Sequence, residues 1–108
     1  MSPGPRSSRP SVGVMLQRHV DPALIPHRAR LFESLGFDDV WVVEDRYFSG
    51  GIAQAGAVLS ATERLDVGIG NLPAVVRNPV FAAMELATLA GIYPGRLIAG
   101  IQVGVLPT

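Results

Sequence analysis

Short runs of apolar, largely β-branched residues recur along the chain, and stretches with helical character separate them. The runs cover residues 11–16, 39–43, 65–70 and 96–101. Within each run the apolar positions are nearly continuous rather than alternating, which is typical of parallel strands that helices cover. The recurrence of strand and helix therefore predicts consecutive βαβ units.

Signals at the helix ends predict three helices between the four strands. The helices cover residues 22–35 or 26–35, 51–61 and 79–91. Gly36 follows the first helix and can adopt the left-handed conformation that ends a helix. Asn78 is a candidate N-cap for the third helix, and Pro79 suits its first position, where a missing N–H matters least. The third helix is expected to end at Gly91.

Four parallel strands joined by three helices fit two architectures. One is an open, doubly wound sheet with helices on both faces. The other is half of a (β/α)8 barrel, with helices on one face only. Because the alternation of elements is the same in both, the pattern alone leaves the choice open.

Composition limits the chemistry that the chain can carry. Of its 108 residues 48% are hydrophobic and 17% are charged, which favours a packed core over whole-chain disorder. Nine basic and nine acidic residues cancel, so the chain has no basic surplus with which to bind nucleic acid or an anionic membrane. The absence of cysteine excludes disulfides, thiolate metal sites and cysteine nucleophiles.

Composition also divides the chain into two parts. Residues 1–10 are rich in proline, serine and arginine, and we expect a disordered leader there rather than a signal peptide. Residues 11–108 are expected to form the βαβ domain. The later apolar stretches are too short for a transmembrane helix, and a cytoplasmic location fits the lack of cysteine.

Polar residues follow the first two predicted strands, at the edge where α/β folds bind ligands. Glu44 and Asp45 come directly after the second strand and could act as a general base or bind a polar ring. An ion pair with Arg46, or a charge at a helix N-terminus, is an equally good interpretation. His19 follows the first strand, whereas His27 falls within the first helix and is expected to be solvated. Neither histidine has a metal-ligand partner at helical spacing, so we predict no metal site.

Glycines mark the ends of the third and fourth strands. Gly68 and Gly70 permit a β-bulge or the close approach of a planar ligand, but they do not form a dinucleotide-binding fingerprint. A plain turn is the simpler interpretation of these two residues alone. Gly100 and Gly104 lack the lysine of a phosphate-binding loop. Arg77 precedes the third helix and could meet either an anionic ligand or a nearby carboxylate.

Three segments together resemble the luciferase-like monooxygenase family, including its deazaflavin-dependent branch. They are FESLGFDDVWVVEDRYFSGGI (32–52), ATERLDVGIGNLPAVVRNP (61–79) and MELATLAGIYPGRLIAGI (84–101). Within them, Thr-Glu-Arg precedes the third strand, Arg-Asn-Pro the third helix and Pro-Gly-Arg the fourth strand. These motifs are similar to those of the family in both order and spacing.

The resemblance implies a (β/α)8 TIM barrel of which only the first four strands and three helices are present. It also implies an oxidoreductase or monooxygenase that binds FMN or the deazaflavin coenzyme F420 at the C-terminal strand ends and acts on a small organic substrate. The residues at the implied catalytic positions are Glu44, Asp45 and, less directly, His19. Those implied to bind the cofactor are Gly68, Gly70, Asn71 and Leu72. The resemblance further implies a non-prolyl cis peptide between Gly70 and Asn71.

Members of the family are much longer than this chain, and residues 102–108 (QVGVLPT) depart from the glycine-rich continuation expected after the fourth strand. We therefore expect a truncated form with impaired activity, which self-association or a separately encoded second half would complete. The alternative is a non-catalytic half-barrel remnant that only self-associates. A doubly wound nucleotide-binding module is disfavoured because the chain has no phosphate-binding loop.

Overall fold

The computed structural model describes residues 10–45, 48–73 and 77–102, and it confirms the predicted order of four strands and three helices. The strands are β1 (Gly13–Met15), β2 (Asp39–Val42), β3 (Asp66–Pro73) and β4 (Leu97–Gln102). The helices are α1 (Ile25–Ser34), α2 (Gly51–Ala61) and α3 (Pro79–Ile92), and a short 3-10 turn (Pro22–Leu24) precedes α1.

Three of the sequence predictions concern residues outside the described part of the chain. These are the disordered leader, of which only Pro10 is described, the ion pair with Arg46, and the role of Gly104. The domain predicted over residues 11–108 is described as far as Gln102, apart from two short gaps.

The four strands form one parallel sheet in the order β1-β2-β3-β4. Helix α2 contacts both α1 and α3, and residues of all three helices share one core cluster with the sheet. The helices therefore lie in a single layer on one face, as expected when each right-handed crossover leads to the next strand along. Sequential strands with helices on one face are the topology of a barrel segment, so the doubly wound alternative is wrong.

Alternate residues of the central strands face the helices. Val40 and Val42 of β2 and Val67 and Ile69 of β3 are fully buried in that layer. The opposite face of the sheet carries Met15, Trp41, Gly68 and Ile98, which are in register across the four strands. Among them Met15 and Ile98 are 59% and 54% exposed. In a closed barrel this second face is the packed interior.

The ends of α1 explain why two starting points fitted the sequence. The Asp21 side chain accepts a hydrogen bond from the N–H of Ala23, and the 3-10 turn that begins at Pro22 leads directly into α1. Pro26 then lies in the first turn of α1, where its missing N–H needs no partner. Gly36 follows the helix at a φ of 90°, so the predicted left-handed stop is confirmed.

Helix α3 begins as predicted but ends later. The Asn78 side chain accepts hydrogen bonds from the N–H groups of Val80 and Phe81, which confirms it as the N-cap. The predicted end at Gly91 is wrong, because α3 continues through it to Ile92. Beyond that point Tyr93 packs against the core, and the left-handed turn residue is Gly95 at a φ of 75°.

The amino-terminal edge of the sheet is held by Glu33 and by the arginines of the Thr-Glu-Arg and Pro-Gly-Arg motifs. The Glu33 carboxylate accepts hydrogen bonds from three consecutive backbone N–H groups, at residues 63–65. Arg64 donates to the carbonyl oxygens of Phe37 and Glu33. Arg96 donates to the Leu65 carbonyl oxygen and to the Thr62 side chain. These motif residues therefore join the loops before β3 and β4 to the rest of the fold.

The Glu33 network predicts a pH dependence of stability. Partial burial tends to raise the pKa of Glu33, but the backbone N–H donors of Arg64, Glu63 and Leu65 and the Arg64 charge outweigh it and hold that pKa below its ordinary value of 4.5. A lowered folded-state pKa stabilises the fold above the unfolded-state value, and that stabilisation is lost as the pH falls through the folded-state value. We therefore expect Glu33→Gln to reduce the free energy of unfolding near neutral pH and to make less difference under acid conditions.

Urea unfolding between pH 7 and pH 3 measures this effect. The matched control is Glu63→Gln, because Glu63 joins the network through its backbone N–H and its side chain is exposed. A difference between wild type and Glu33→Gln that stays constant throughout the acid range would contradict the assignment.

Candidate functional site

The carboxyl ends of the strands bring the candidate residues to one edge of the sheet, here called the C-terminal edge. Glu44 and Asp45 follow β2, and Gly70 and Asn71 lie in the last half of β3. Because β2 and β3 are adjacent and parallel, all four residues reach the same edge. His19 reaches this edge too, in the turn that follows β1.

The Glu44 carboxylate joins two loops at this edge. One oxygen, Oε1, accepts a hydrogen bond of 2.7 Å from the N–H of Gly51, the first residue of α2. The same carboxylate forms a two-pronged ion pair with Arg77, in which Nε donates to Oε2 at 3.2 Å and Nη2 donates to Oε1. The Glu44 and Arg77 side chains are 12% and 26% exposed. We call this set of Glu44, Gly51 and Arg77 the Glu44 clamp.

The lack of a side chain at Gly51 and the amide of Gln54 also fix the loop that carries Glu44. A Cβ atom on Gly51 would lie 3.1 Å from Ile69 Cγ2 and 3.2 Å from Glu44 Cβ, so glycine allows α2 to start close to β3. Gln54 is 3% exposed, and its Nε2 donates to the carbonyl oxygens of Val43 and Ser49, at the two ends of the loop between β2 and α2.

Asp45 links the segments that follow β1 and β2. Its carboxylate lies 3.5 Å from the Arg18 guanidinium, and both side chains are about half exposed. The same guanidinium lies over the Phe48 ring, 4.8 Å from its centroid. An exposed ion pair of this kind contributes only about 0–1 kcal/mol. The Asp45 carboxylate therefore stays accessible to solvent and ligand, unlike that of Glu44.

The two glycines of β3 have different surroundings. The Trp41 indole covers Gly68 so closely that a Cβ there would lie 2.4 Å from Cε3 of the ring. Trp41 is itself held by a hydrogen bond of 3.0 Å from Nε1 to Asp39. Gly70 is exposed, and a Cβ there would be 3.8 Å from the Trp41 ring, an ordinary contact distance. The open backbone at this edge is therefore that of Gly70.

The β-bulge that Gly68 and Gly70 permit is present in β3, so the simpler interpretation of a plain turn is wrong. Ile69 pairs with Ala99 and Leu72 with Ile101, so β3 has one more residue than β4 between these two pairs. The prediction of a cis peptide between Gly70 and Asn71 is wrong, since the described residues contain only trans peptide bonds. The bulge accommodates the change of register with trans bonds, which are favoured for non-proline residues by about 3–4 kcal/mol. Leu72 is 2% exposed and belongs to the core.

His19 is exposed and lines a groove of about 400 Å³ beside β1. The groove is bounded by β1, the turn that follows it and α1, and Arg28 and Phe32 are its α1 residues. It therefore lies at the open side of β1 rather than above the β3 bulge. His27 is exposed on α1, as predicted. In the described part of the chain there is no cluster of three or more side chains suited to a metal ion.

Sequence reasoning missed Trp41 and Gln54. Gln54 had a readable signal, because it is a long polar side chain within a largely apolar, alanine-rich helix. Trp41 had none beyond its position in a strand, since its partner Gly68 is recognised only once the β2–β3 register is known. For Arg77, the alternative of pairing with a nearby carboxylate is confirmed.

Comparison with known proteins places this geometry in a family. The family model described as luciferase-like monooxygenase matches residues 7–108. The chain belongs to the luciferase-like monooxygenase family. Its four parallel strands and one layer of helices are thus part of the (β/α)8 barrel of that family, which confirms the expected fold class.

Relatives of this luciferase-like chain include a reductase and an F420-dependent dehydrogenase. It is 31% identical over 96 residues to a 5,10-methylenetetrahydromethanopterin reductase of Methanopyrus kandleri. The aligned segment covers 87% of this chain and 27% of that enzyme. It is 37% identical over 82 residues to an F420-dependent glucose-6-phosphate dehydrogenase of Segniliparus rotundus, covering 67% of the chain and 24% of that enzyme. The chain thus spans about a quarter of the length of these relatives.

Solved structures give the same result. The coenzyme F420-dependent tetrahydromethanopterin reductase of Methanopyrus kandleri matches with a TM-score of 0.76 and 26% identity, covering 88% of this chain and 27% of that one. A monooxygenase of Streptomyces bottropensis matches with a TM-score of 0.75 and 28% identity, covering 90% of this chain and 34% of that one.

None of the helices in the described residues is long and apolar enough to cross a membrane.

Proposed function

We propose that this chain forms one wall of the cofactor-ring site of a luciferase-like oxidoreductase that uses coenzyme F420 or FMN. The observation that carries the proposal is the exposed backbone of Gly70 in the β3 bulge, beside the Trp41 indole and at the C-terminal edge. Ligands of (β/α)8 enzymes bind at this edge. The names of the relatives support the deazaflavin in particular.

The described residues fit a planar ring. Gly70 has no side chain to hold a ring away from the strand, and Trp41 offers an aromatic surface next to it. Trp41 is restrained by its bond to Asp39, so this surface is formed before a ligand arrives. When bound, a flavin or deazaflavin supplies hydride or electron transfer to an organic substrate.

The three candidate catalytic residues have different roles in this proposal. Both oxygens of Glu44 are used within the clamp, so Glu44 orients the loops rather than exchanging protons. Asp45 is half exposed and its ion pair with Arg18 is also exposed, so its carboxylate is able to accept a proton from a substrate or water. His19 lies in the neighbouring turn and would face a substrate rather than the ring.

Titration of coenzyme F420 and FMN into the purified 108-residue chain tests the proposal. Trp41 is the only tryptophan and lies beside the proposed site, so its fluorescence reports binding directly. We expect saturable quenching with a Kd of about 0.1–1 mM, because a single wall of a pocket buries only part of a ligand. We expect no more than trace turnover, since catalysis requires the ring and substrate to be held on every side.

Gly70→Val is expected to abolish the quenching, because its side chain occupies the position of the ring. Gly91→Ala on the exposed side of α3 is the matched control and should bind as wild type does. Equal quenching by both variants would contradict the proposal. So would steady-state turnover by the lone chain with micromolar affinity, which would show that this segment is a complete site.

The second candidate function is self-association. In the described residues β1 and β4 each have a paired strand on one side only, and the exposed Met15 and Ile98 lie on the sheet face opposite the helices. Unpaired edges and exposed apolar faces favour association. Performing the titration separately on monomeric and associated fractions distinguishes the candidates. Quenching confined to the associated fraction favours a site completed by a second copy, and association without quenching favours the non-catalytic alternative.

A further inference from the structure

Three helical segments begin at the C-terminal edge, and each beginning already has a side-chain partner. A helix N-terminus attracts anions through its free N–H groups and its dipole. Asp21 accepts from the N–H of Ala23 at 3.0 Å, and Asn78 accepts from that of Val80 at 2.9 Å. Glu44 accepts from the N–H of Gly51 at the start of α2. Two of these three partners are themselves carboxylates.

The cations described at this edge are also paired. Arg77 is bound by Glu44, and Arg18 lies beside Asp45. The two pairs differ in burial, because the side chains of the Arg77 pair are 26% and 12% exposed, against 57% and 46% for the Arg18 pair. A partly buried, two-pronged pair is harder for an incoming anion to exchange than an exposed one.

We infer that Glu44 is a specificity-determining residue that closes this edge to anionic groups. Its carboxylate takes the places that a phosphate would take on Arg77 and on the first turn of α2, and it repels a second negative charge there. The edge therefore accepts the neutral ring of an oxidised flavin and excludes its phosphate. The ring part of this inference rests on the proposed function, and the exclusion of anions does not.

FMN and riboflavin test the selectivity, because they share one ring and differ by the phosphate. We expect wild type to bind both with affinities within about threefold of each other. Glu44→Gln keeps the length of the side chain and an oxygen for the Gly51 N–H, but releases the Arg77 charge. We expect it to favour FMN over riboflavin by about tenfold, since a guanidinium–phosphate pair then becomes available.

Two matched variants separate charge from shape. Glu44→Asp keeps the negative charge and should retain the wild-type ratio of the two affinities. Glu85→Gln removes an exposed carboxylate from α3, away from the clamp, and should also leave that ratio unchanged. The wild-type measurement needs no variant, so a Glu44→Gln chain that fails to fold still leaves the inference testable. Wild type binding FMN about tenfold more tightly than riboflavin would overturn it.

Inorganic phosphate gives a measurement that is independent of ring binding. We expect the Gly51 amide resonance of wild type to show no saturable shift with phosphate, and that of Glu44→Gln to show one. Adding Arg77→Gln to Glu44→Gln should remove the shift again. A saturable Gly51 shift in wild type would overturn the inference. If these phosphate results hold while riboflavin does not bind, the proposed function is wrong and the exclusion of anions by Glu44 stands.

Discussion

Gly68→Ala is expected to lower the free energy of unfolding by about 1–3 kcal/mol, although it adds only one methyl group. That methyl carbon would lie 2.4 Å from Cε3 of Trp41 and 2.5 Å from two other ring atoms. The indole must therefore move, and its Nε1 bond to Asp39 is then strained or lost. Urea unfolding gives the change in free energy, and the fluorescence of the single tryptophan reports whether its surroundings change.

Gly70→Ala is the matched control for this prediction. It adds the same methyl group two residues further along β3, where the new carbon would be at an ordinary 3.8 Å from the Trp41 ring. We expect it to change the free energy of unfolding by less than about 1 kcal/mol. If the two variants are equally stable, with equal fluorescence, the indole does not lie over Gly68 as described.

Gln54→Leu is expected to lower the free energy of unfolding by about 2–5 kcal/mol. The change keeps the approximate size of the side chain but removes the two hydrogen bonds to the carbonyl oxygens of Val43 and Ser49. A partly buried carbonyl that loses its partner costs up to about 1–3 kcal/mol. Because these carbonyls lie at the two ends of the loop that carries Glu44, we also expect weaker cofactor quenching at concentrations where the variant remains folded.

The control for Gln54 is Gln17→Leu, because Gln17 is an exposed glutamine in the segment that follows β1. It should change the free energy of unfolding by less than about 0.5 kcal/mol, as is usual for surface substitutions. Urea unfolding followed by circular dichroism measures both variants. Equal stability of the two would show that the buried amide of Gln54 does not hold the loop.

The topology was predictable because local signals specify it. Nearly continuous apolar runs indicate covered parallel strands, and the Asn78-Pro79 and Gly36 signals locate helix ends through groups a few residues apart. The end of α3 was not predictable in this way, because Gly91 alone favours a stop. In the structure α3 runs one residue past Gly91, to Ile92, and Tyr93 beyond it makes a tertiary contact with the core that the local sequence does not show.

The candidate site was predictable in position but not in its bonds. Residues that follow parallel strands must meet at one edge, so Glu44 and Gly70 could be placed there from the sequence. The partner of Glu44 could not be identified, because Arg46 is nearby in sequence whereas Arg77 is 33 residues away and is brought close only by the pairing of β2 with β3. The prediction of a cis peptide was wrong, because the β3 bulge changes the strand register with trans peptide bonds.

The most direct test of the central claim is to map the riboflavin-binding surface by amide and indole NMR shifts on the 108-residue chain. We expect saturable shifts at Gly70, at the Trp41 indole N–H and at Gly51, with smaller changes at Asp45. Residues of the groove beside β1, such as Arg28, should be unaffected. Shifts confined to that groove or to α3, or no saturable shift at all, would contradict a ring site at the β3 bulge.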